Sequence, residues 1–315
     1  MHEFSNINIL QLGNFILSGF PGFGIGLHGL MYTIYDPREM AKVIRSEGAY
    51  PSGIVEKLWQ WKRAMKLSGS VLVTEKKEAD NTGETHNYGL FDNGDSWKRH
   101  RTFMQTNMLD PRAAKGFLPG IIQAATTASA MAPQHAEADM NQYLNYTAFD
   151  MFTSFMFGQQ LKTSASIVNP DPNVRAENHE NERFVNAAIG VFGTTNKMNL
   201  FPLEFLMAKY LPWYKTTMFK KLQSDWDIVR EVGLKKMYDF IERYDNNELD
   251  EMEKKSYLAG AIKRQREIEE VTQDEMIELC LIALFVGVDT TSSGKFALVS
   301  LYHMISCVRY EDPAI

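Results

Sequence analysis

One stretch near the carboxyl end constrains this chain more than any other. Thr272 followed by Glu275 has the form of a capping box, in which a hydroxyl and a carboxylate satisfy each other's backbone amides at a helix start. Apolar residues then recur at helical spacing to about Ser306. A helix of that length spans ~52 Å, enough to cross a whole domain through its middle. Its centre conflicts with that role, because Gly287-Val288-Asp289-Thr290-Thr291-Ser292-Ser293-Gly294 is built from poor helix formers. Such a local conflict commonly marks a functional site. The Thr290 hydroxyl can donate to the Val286 carbonyl, weakening the helical ladder and bending it. Gly287, on roughly the same face, contributes no side chain and is expected to open a groove. With the Asp289 carboxylate beside it, that groove could hold a small polar ligand and relay protons to it. A structural kink in a buried helix, with Asp289 capping or salt-bridged, explains the same residues, and pattern alone leaves both readings open.

Elsewhere the chain reads as mainly α with a small β-hairpin region. The hairpin pair is expected at Phe15–Ser18 and Leu30–Tyr35, across a glycine-rich turn. Asp36 then caps a helix that has Pro37 at its first position and runs to about Ser46. Residues 54–68 are amphipathic, and 75–87 form a polar, solvated loop. A helix from Asp95-Ser96 to about Met108 carries Trp97, and Pro111 begins another. Residues 134–140 read as a weak linker. Residues 141–157 are apolar on nearly every side, so that helix should be buried all round. A Pro/Asn/Asp-rich loop is expected over 168–181, with helices at about 182–193 and 216–244. Between those helices lies an apolar, proline-broken stretch, 199–214.

Composition narrows the function classes. With 44% hydrophobic and 23% charged residues, the chain is neither disordered nor collagen-like nor a coiled coil throughout. A net charge of −6 gives no global electrostatic footprint for nucleic acid. Seventeen Met, 19 Phe and 13 Tyr suit a core that encloses bulky apolar ligands. The two cysteines, Cys280 and Cys307, are too few for a disulfide framework or a zinc site. On one helix they stand ~40 Å apart, so a reduced, intracellular protein is expected. No purely apolar run of spanning length occurs, and the uncharged stretch 4–35 is broken by glycines and Pro21. The start, Met1-His2-Glu3, lacks the basic region of a signal peptide, so a targeting segment is expected to be absent or missing.

Two motifs carry a resemblance. Phe285-Val286-Gly287-Val288-Asp289-Thr290-Thr291-Ser292 closely resembles the distal-helix signature A/G-G-x-D/E-T-T/S of the cytochrome P-450 haem-thiolate monooxygenases, and Trp97-Lys98-Arg99-His100-Arg101 fits that family's W-x-x-x-R. Asp36-Pro37-Arg38-Glu39 through Ser46-Glu47-Gly48, and Pro111-Arg112-Ala113-Ala114 through Phe117-Leu118-Pro119, look most like the mitochondrial class, which includes sterol side-chain cleaving and vitamin D hydroxylating enzymes. The likeness covers nearly the whole chain as one domain. It divides into a β region and first helix (1–52), substrate-recognition and haem-propionate helices (53–180), lid helices and their loop (181–270) and the long distal helix (271–307).

The resemblance implies haem as cofactor, dioxygen as oxidant, and electrons from NAD(P)H through a ferredoxin-type donor. The reaction would place one oxygen atom on a lipophilic, sterol-like substrate. Trp97 and Arg101, one helical turn apart, would bind a haem propionate, since a buried carboxylate needs a charged fork and a neutral donor. A surface Trp–Arg stacking pair is the plainer account of the same spacing. Thr290 would order a water at the dioxygen and Asp289 would gate proton supply, with Gly287 beside the cofactor. Leu279, Ile282, Ala283 and Val286 would form an apolar pocket wall. Val286 stands where the family usually has Ala or Gly, and its bulk should narrow the pocket above the haem. Lys98 and Arg99 point elsewhere, towards a redox partner or simply to solvent. Phe201, Phe205, Leu206 and Trp213 fall where the family places its lid loop, and are expected to make a peripheral membrane contact. The class resemblance places the protein at the mitochondrial inner membrane.

The family holds iron through a cysteine in F-x-x-G-x-x-x-C-x-G, preceded by E-x-x-R. Neither pattern occurs before the chain ends at Asp312-Pro313-Ala314-Ile315. Cys280 and Cys307 lie ~15 and ~25 Å along the helix from Thr290 and read as buried apolar cysteines. This chain is therefore expected to be a fragment without its metal ligand, inactive alone. A non-enzymatic helical lipid-binding or regulatory protein is the alternative. A terpenoid cyclase is disfavoured, because no D-D-x-x-D cluster occurs.

Overall fold

Asp36 opens the first helix as its sequence predicts. Its carboxylate accepts the backbone N–H of Arg38 at 2.8 Å, and Pro37 sits where a missing N–H costs nothing. In this computed structural model the described residues are 36–46, 59–73, 95–106, 108, 111–131, 140–165, 172–200, 204, 207, 211, 213–268 and 270–311, with backbone alone over 295–311. The chain is mainly α-helical. Helix α1 (Pro37–Ser46) is followed by α2 (Trp59–Leu67), α3 (Asp95–Gln105), α4 (Pro111–Met131) and α5 (Met140–Phe157). Then come α6 (Pro172–Leu200), α7 (Thr217–Asp245), a 3₁₀ turn at Glu253–Lys255, α8 (Tyr257–Ile268) and α9 (Gln273–Glu311). The expected hairpin at Phe15–Ser18 and Leu30–Tyr35, the loop 75–87 and most of the linker 134–140 lie outside the described residues.

The expected loop over 168–181 is corrected: from Pro172 onward it is the first part of α6, which also runs seven residues past the expected end at 193. Asparagine reads as a turn former because its side chain competes for the backbone. Here Asn178 and Asn181 are both buried, and the Asn181 amide donates to the Asn178 side-chain oxygen at 3.2 Å, so that competition is spent within the helix. Phe184, Val185, Ala188 and Val191 then bury one face. Helix α8 was not anticipated. Its signal is short: Ser256 caps it by accepting the Ala259 N–H at 3.2 Å, and Tyr257, Leu258, Ala261 and Ile262 are buried. Helix α7 starts as expected, with the Thr216 hydroxyl accepting the Phe219 N–H at 3.0 Å.

Helix α5 is buried around most of its circumference, as its composition predicts. It packs against α4 on one side and α9 on the other, while α6 and α7 pack as a pair. An aromatic hub joins four elements. The Phe285 ring of α9 stacks on Phe192 of α6 at 4.6 Å between centroids, with Trp61 of α2 at 4.9 Å and Trp226 of α7 at 5.4 Å. Such contacts contribute about 0.5–1.5 kcal/mol each beyond the area they bury.

Gly287 does not open the expected groove. A methyl built there would overlap the ring of Phe152, so the missing side chain is what lets α5 approach α9. Gly287→Ala should destabilise the protein by about 1–3 kcal/mol through overpacking. Adding Phe152→Leu should recover part of that loss in urea unfolding. Additive effects of the two changes would show that the ring and the glycine do not share this space.

Candidate active site

The capping box at the head of α9 is formed. The Glu275 backbone N–H donates to the Thr272 hydroxyl at 3.2 Å, and the Thr272 N–H donates to the Glu275 carboxylate at 2.8 Å. Downstream, the helix continues through its weak centre to Glu311. The Thr290 hydroxyl donates to the Val286 carbonyl at 2.9 Å, as its spacing predicts. With its proton committed there, an exposed Thr290 presents oxygen lone pairs outward, able to accept a hydrogen bond from water. Asp289 is half-buried, and burial raises its carboxyl pKa above the ordinary aspartate range. Among the described residues no cation lies within ion-pair distance of it, and no side-chain cap or bridge from it is formed with them.

The expected pocket wall divides in two. Leu279 and Ile282 belong to the apolar core, where they pack against protein. Ala283 and Val286 lie at its edge, partly exposed on the side of Thr290. The open wall is therefore Ala283, Val286 and Thr290, and Gly287 faces Phe152 instead.

On α3 the Arg101 guanidinium lies over the Trp97 ring, 5.3 Å from its centroid, so the stacking pair exists. Arg101 is exposed and Trp97 half-buried, and among the described residues no carboxylate pairs with the guanidinium. A charged fork and an indole N–H on one face, neither claimed by an acceptor among the described residues, are the donor set a propionate requires. The residues present therefore fit the haem periphery.

Lys98 and Arg99 are both exposed, as a solvated face would have them, and Arg99 in addition donates to Glu275 at 2.9 Å. His100, only 1% exposed, meets the same carboxylate oxygen through Nε2 at 3.2 Å. Sequence reading missed this contact because no spacing rule pairs residues 175 positions apart.

Cys280 is wholly buried among apolar side chains, and burial pushes its thiol up to about 12. It stays protonated at neutral pH, and among the described residues no cluster of His, Cys, Asp and Glu is arranged for a metal ion. The Cys307 side chain lies outside the described residues, as do Phe201, Phe205 and Leu206 of the expected lid loop. Trp213 is 77% exposed at the end of that loop, beside a half-exposed Tyr214. No helix among the described residues is long and apolar enough to cross a membrane.

Comparison with known proteins gives these positions a frame. The family model described as cytochrome P-450 matches residues 46–306. A mitochondrial cholesterol side-chain cleavage enzyme of Mesocricetus auratus is 24% identical over 209 residues, 62% of this chain and 33% of that protein. A mitochondrial cytochrome P-450 11B of Aquarana catesbeiana is 22% identical over 211 residues, 66% of this chain and 35% of its own length. Matches to these relatives thus span about a third of their length.

Glu275 also makes stability depend on pH. Its carboxyl is lowered from 4.5 to about 2, chiefly by the hydrogen bond from His100, helped by the Thr272 N–H and Arg99. A depressed carboxyl stabilises the fold above its unfolded value and loses that contribution as pH falls from about 4.5 towards 2. Glu275→Gln should cost about 2 kcal/mol near neutrality, allowing for partial solvent screening. Urea midpoints of the two proteins should converge as pH falls from about 4.5 towards 2 by this mechanism. A gap independent of pH would contradict it.

Proposed function

The chain belongs to the cytochrome P-450 family, and on that premise we propose that it forms the propionate-binding and oxygen-side elements of a haem monooxygenase acting on a lipophilic, sterol-like substrate. The observation that carries this reading is the Trp97/Arg101 donor pair on α3, bonded to no acceptor among the described residues, on a helix tied by Arg99 and His100 to the helix that bears Thr290. Haem bound there supplies the activation of dioxygen, with electrons from NAD(P)H arriving through a ferredoxin-type donor.

The chain's own residues do the rest. Arg101 and Trp97 hold a propionate by a charge-assisted and a neutral hydrogen bond. Thr290, its proton held by Val286, accepts from a water and fixes where that water's own protons point. Asp289, its carboxyl raised by burial, holds and releases a proton closer to neutral pH than a solvated aspartate does. Ala283 and Val286 exclude water and offer apolar surface, and the Val286 isopropyl group narrows the approach to Thr290. The sterol-like substrate class and a place at the mitochondrial inner membrane are supported by the names of the relatives. Exposed Trp213, next to the stretch containing Phe201, Phe205 and Leu206, supports a peripheral membrane contact.

Titration of the protein with hemin, followed by absorbance, tests this reading. Arg101→Ala should weaken binding ~10-fold or more, because a charge-assisted hydrogen bond contributes about 1.5–3 kcal/mol. Trp97→Phe should weaken it less, removing one neutral donor and keeping the ring. Thr290→Ala should leave hemin affinity unchanged. Equal affinity for wild type and Arg101→Ala would refute the assignment, and binding of sterol without hemin would favour a lipid-binding protein instead.

A further inference from the structure

We infer that Glu275 is a positioning residue for this chemistry: its single carboxylate sets the register between the propionate-binding helix α3 and the oxygen-side helix α9. The inference rests on the haem reading above and adds a residue that neither family motif contains.

A capping-box glutamate needs only one of its oxygens, and here the Thr272 N–H occupies Oε2 at 2.8 Å. In an ordinary box the other oxygen would be left to solvent. Instead Oε1 turns onto α3 and receives Arg99 at 2.9 Å and His100 at 3.2 Å. His100 is almost wholly buried, and among the described residues its Nδ1 has no partner and Glu275 is its one polar contact beyond α3. A buried imidazole that lost that contact would keep only a long 3.4 Å approach to Arg99 of its own helix, so Glu275 fixes its orientation strongly.

The helical geometry turns this contact into control over the site. Around α3, His100 lies about 60° from Trp97 and about 100° from Arg101. Holding His100 therefore fixes the rotation of α3, and with it the face on which both donors stand. Along α9, Thr290 follows Glu275 by ~22 Å and returns to within about 60° of the same side. A slip of α3 along α9 would appear directly as a change in the distance from the propionate donors to Thr290. Misplacement by about 1 Å is enough to cost a reaction ~100-fold.

Two variants separate the clamp from the cap. Glu275→Gln keeps the side-chain oxygen that a capping box accepts, but loses the charge that grips Arg99 and His100. Thr272→Ala removes the hydroxyl cap and leaves the carboxylate on α3. Hydrogen exchange of the haem-free protein should show residues 95–105 exchanging ~10-fold faster in Glu275→Gln, with 217–245 unchanged, and no such change in Thr272→Ala. Hemin affinity should fall ~10-fold in Glu275→Gln and stay within ~2-fold in Thr272→Ala. The combined loss with Arg101→Ala should be smaller than the product of the separate losses. Thermal melts at neutral pH identify any variant that has lost its overall fold. Unchanged exchange over 95–105, or faster exchange with unaltered hemin affinity, overturns the inference. Failure of the wild type itself to bind hemin refutes the haem reading instead, and is recognised because every variant then fails alike.

Discussion

Everything that bears on function depends on a helix staying helical where its own sequence resists. From Gly287 to Gly294, α9 is composed of residues that each cost up to about 1 kcal/mol relative to alanine in a helix interior. The offset comes from upstream. Leu279, Cys280, Leu281, Ile282, Leu284, Phe285 and Val288 are all buried, and a fully buried large apolar side chain contributes about 1.5–3 kcal/mol. Phe285 also touches rings from three other helices. Thr290 thus inherits its backbone position from packing that runs up to Val288, two residues earlier. The residues that could carry chemistry are free to be poor helix formers because they are not asked to hold the helix.

Polar contacts work at the other end of the same helix. Apolar packing fixes α9 against α2, α5, α6 and α7, but it is non-directional and leaves sliding along the axis weakly specified. Directional bonds supply that information. Glu275 ties α9 to α3, and the buried pair Arg230 and Glu278, at 2.6 Å, ties it to α7 one turn further on. Two carboxylates on adjacent turns, each gripping a different helix, define both rotation and register for the segment that follows. The cost is burial of charge, tolerable only because each carboxylate is bonded more than once.

Local signals were legible in the sequence and distant ones were not. Asp36-Pro37, the Thr272/Glu275 box and the Thr290 bond to Val286 follow from rules that span two to four residues, and all three are formed. The all-round burial of α5 was equally plain, since a helix apolar on every side has no alternative. The first turns of α6 were misread because asparagine's turn preference was counted without the side-chain bond that spends it. The expected groove at Gly287 failed for a related reason. A glycine in a buried helix announces close approach, but not whether a ligand or a neighbouring ring comes close, and here it is Phe152. The exposure of Arg99 was legible, but its partner Glu275 was not, because that pairing is a fact of tertiary structure.

The Trp97–Arg101 stack shows how two rival readings of a motif can both hold. A guanidinium over an indole face at a solvent-exposed site contributes about 0.5–1 kcal/mol, little enough to be given up. A carboxylate bonded to the same guanidinium with water excluded contributes about 1.5–3 kcal/mol. The second therefore wins whenever such a ligand is present, and the first keeps the fork from collapsing onto another carboxylate when it is not. A guanidinium over a ring face keeps N–H groups that the ring does not use, and these remain able to donate. On the proposed reading, the surface pair is the resting arrangement of a carboxylate-binding one, and its exposure is compatible with that role.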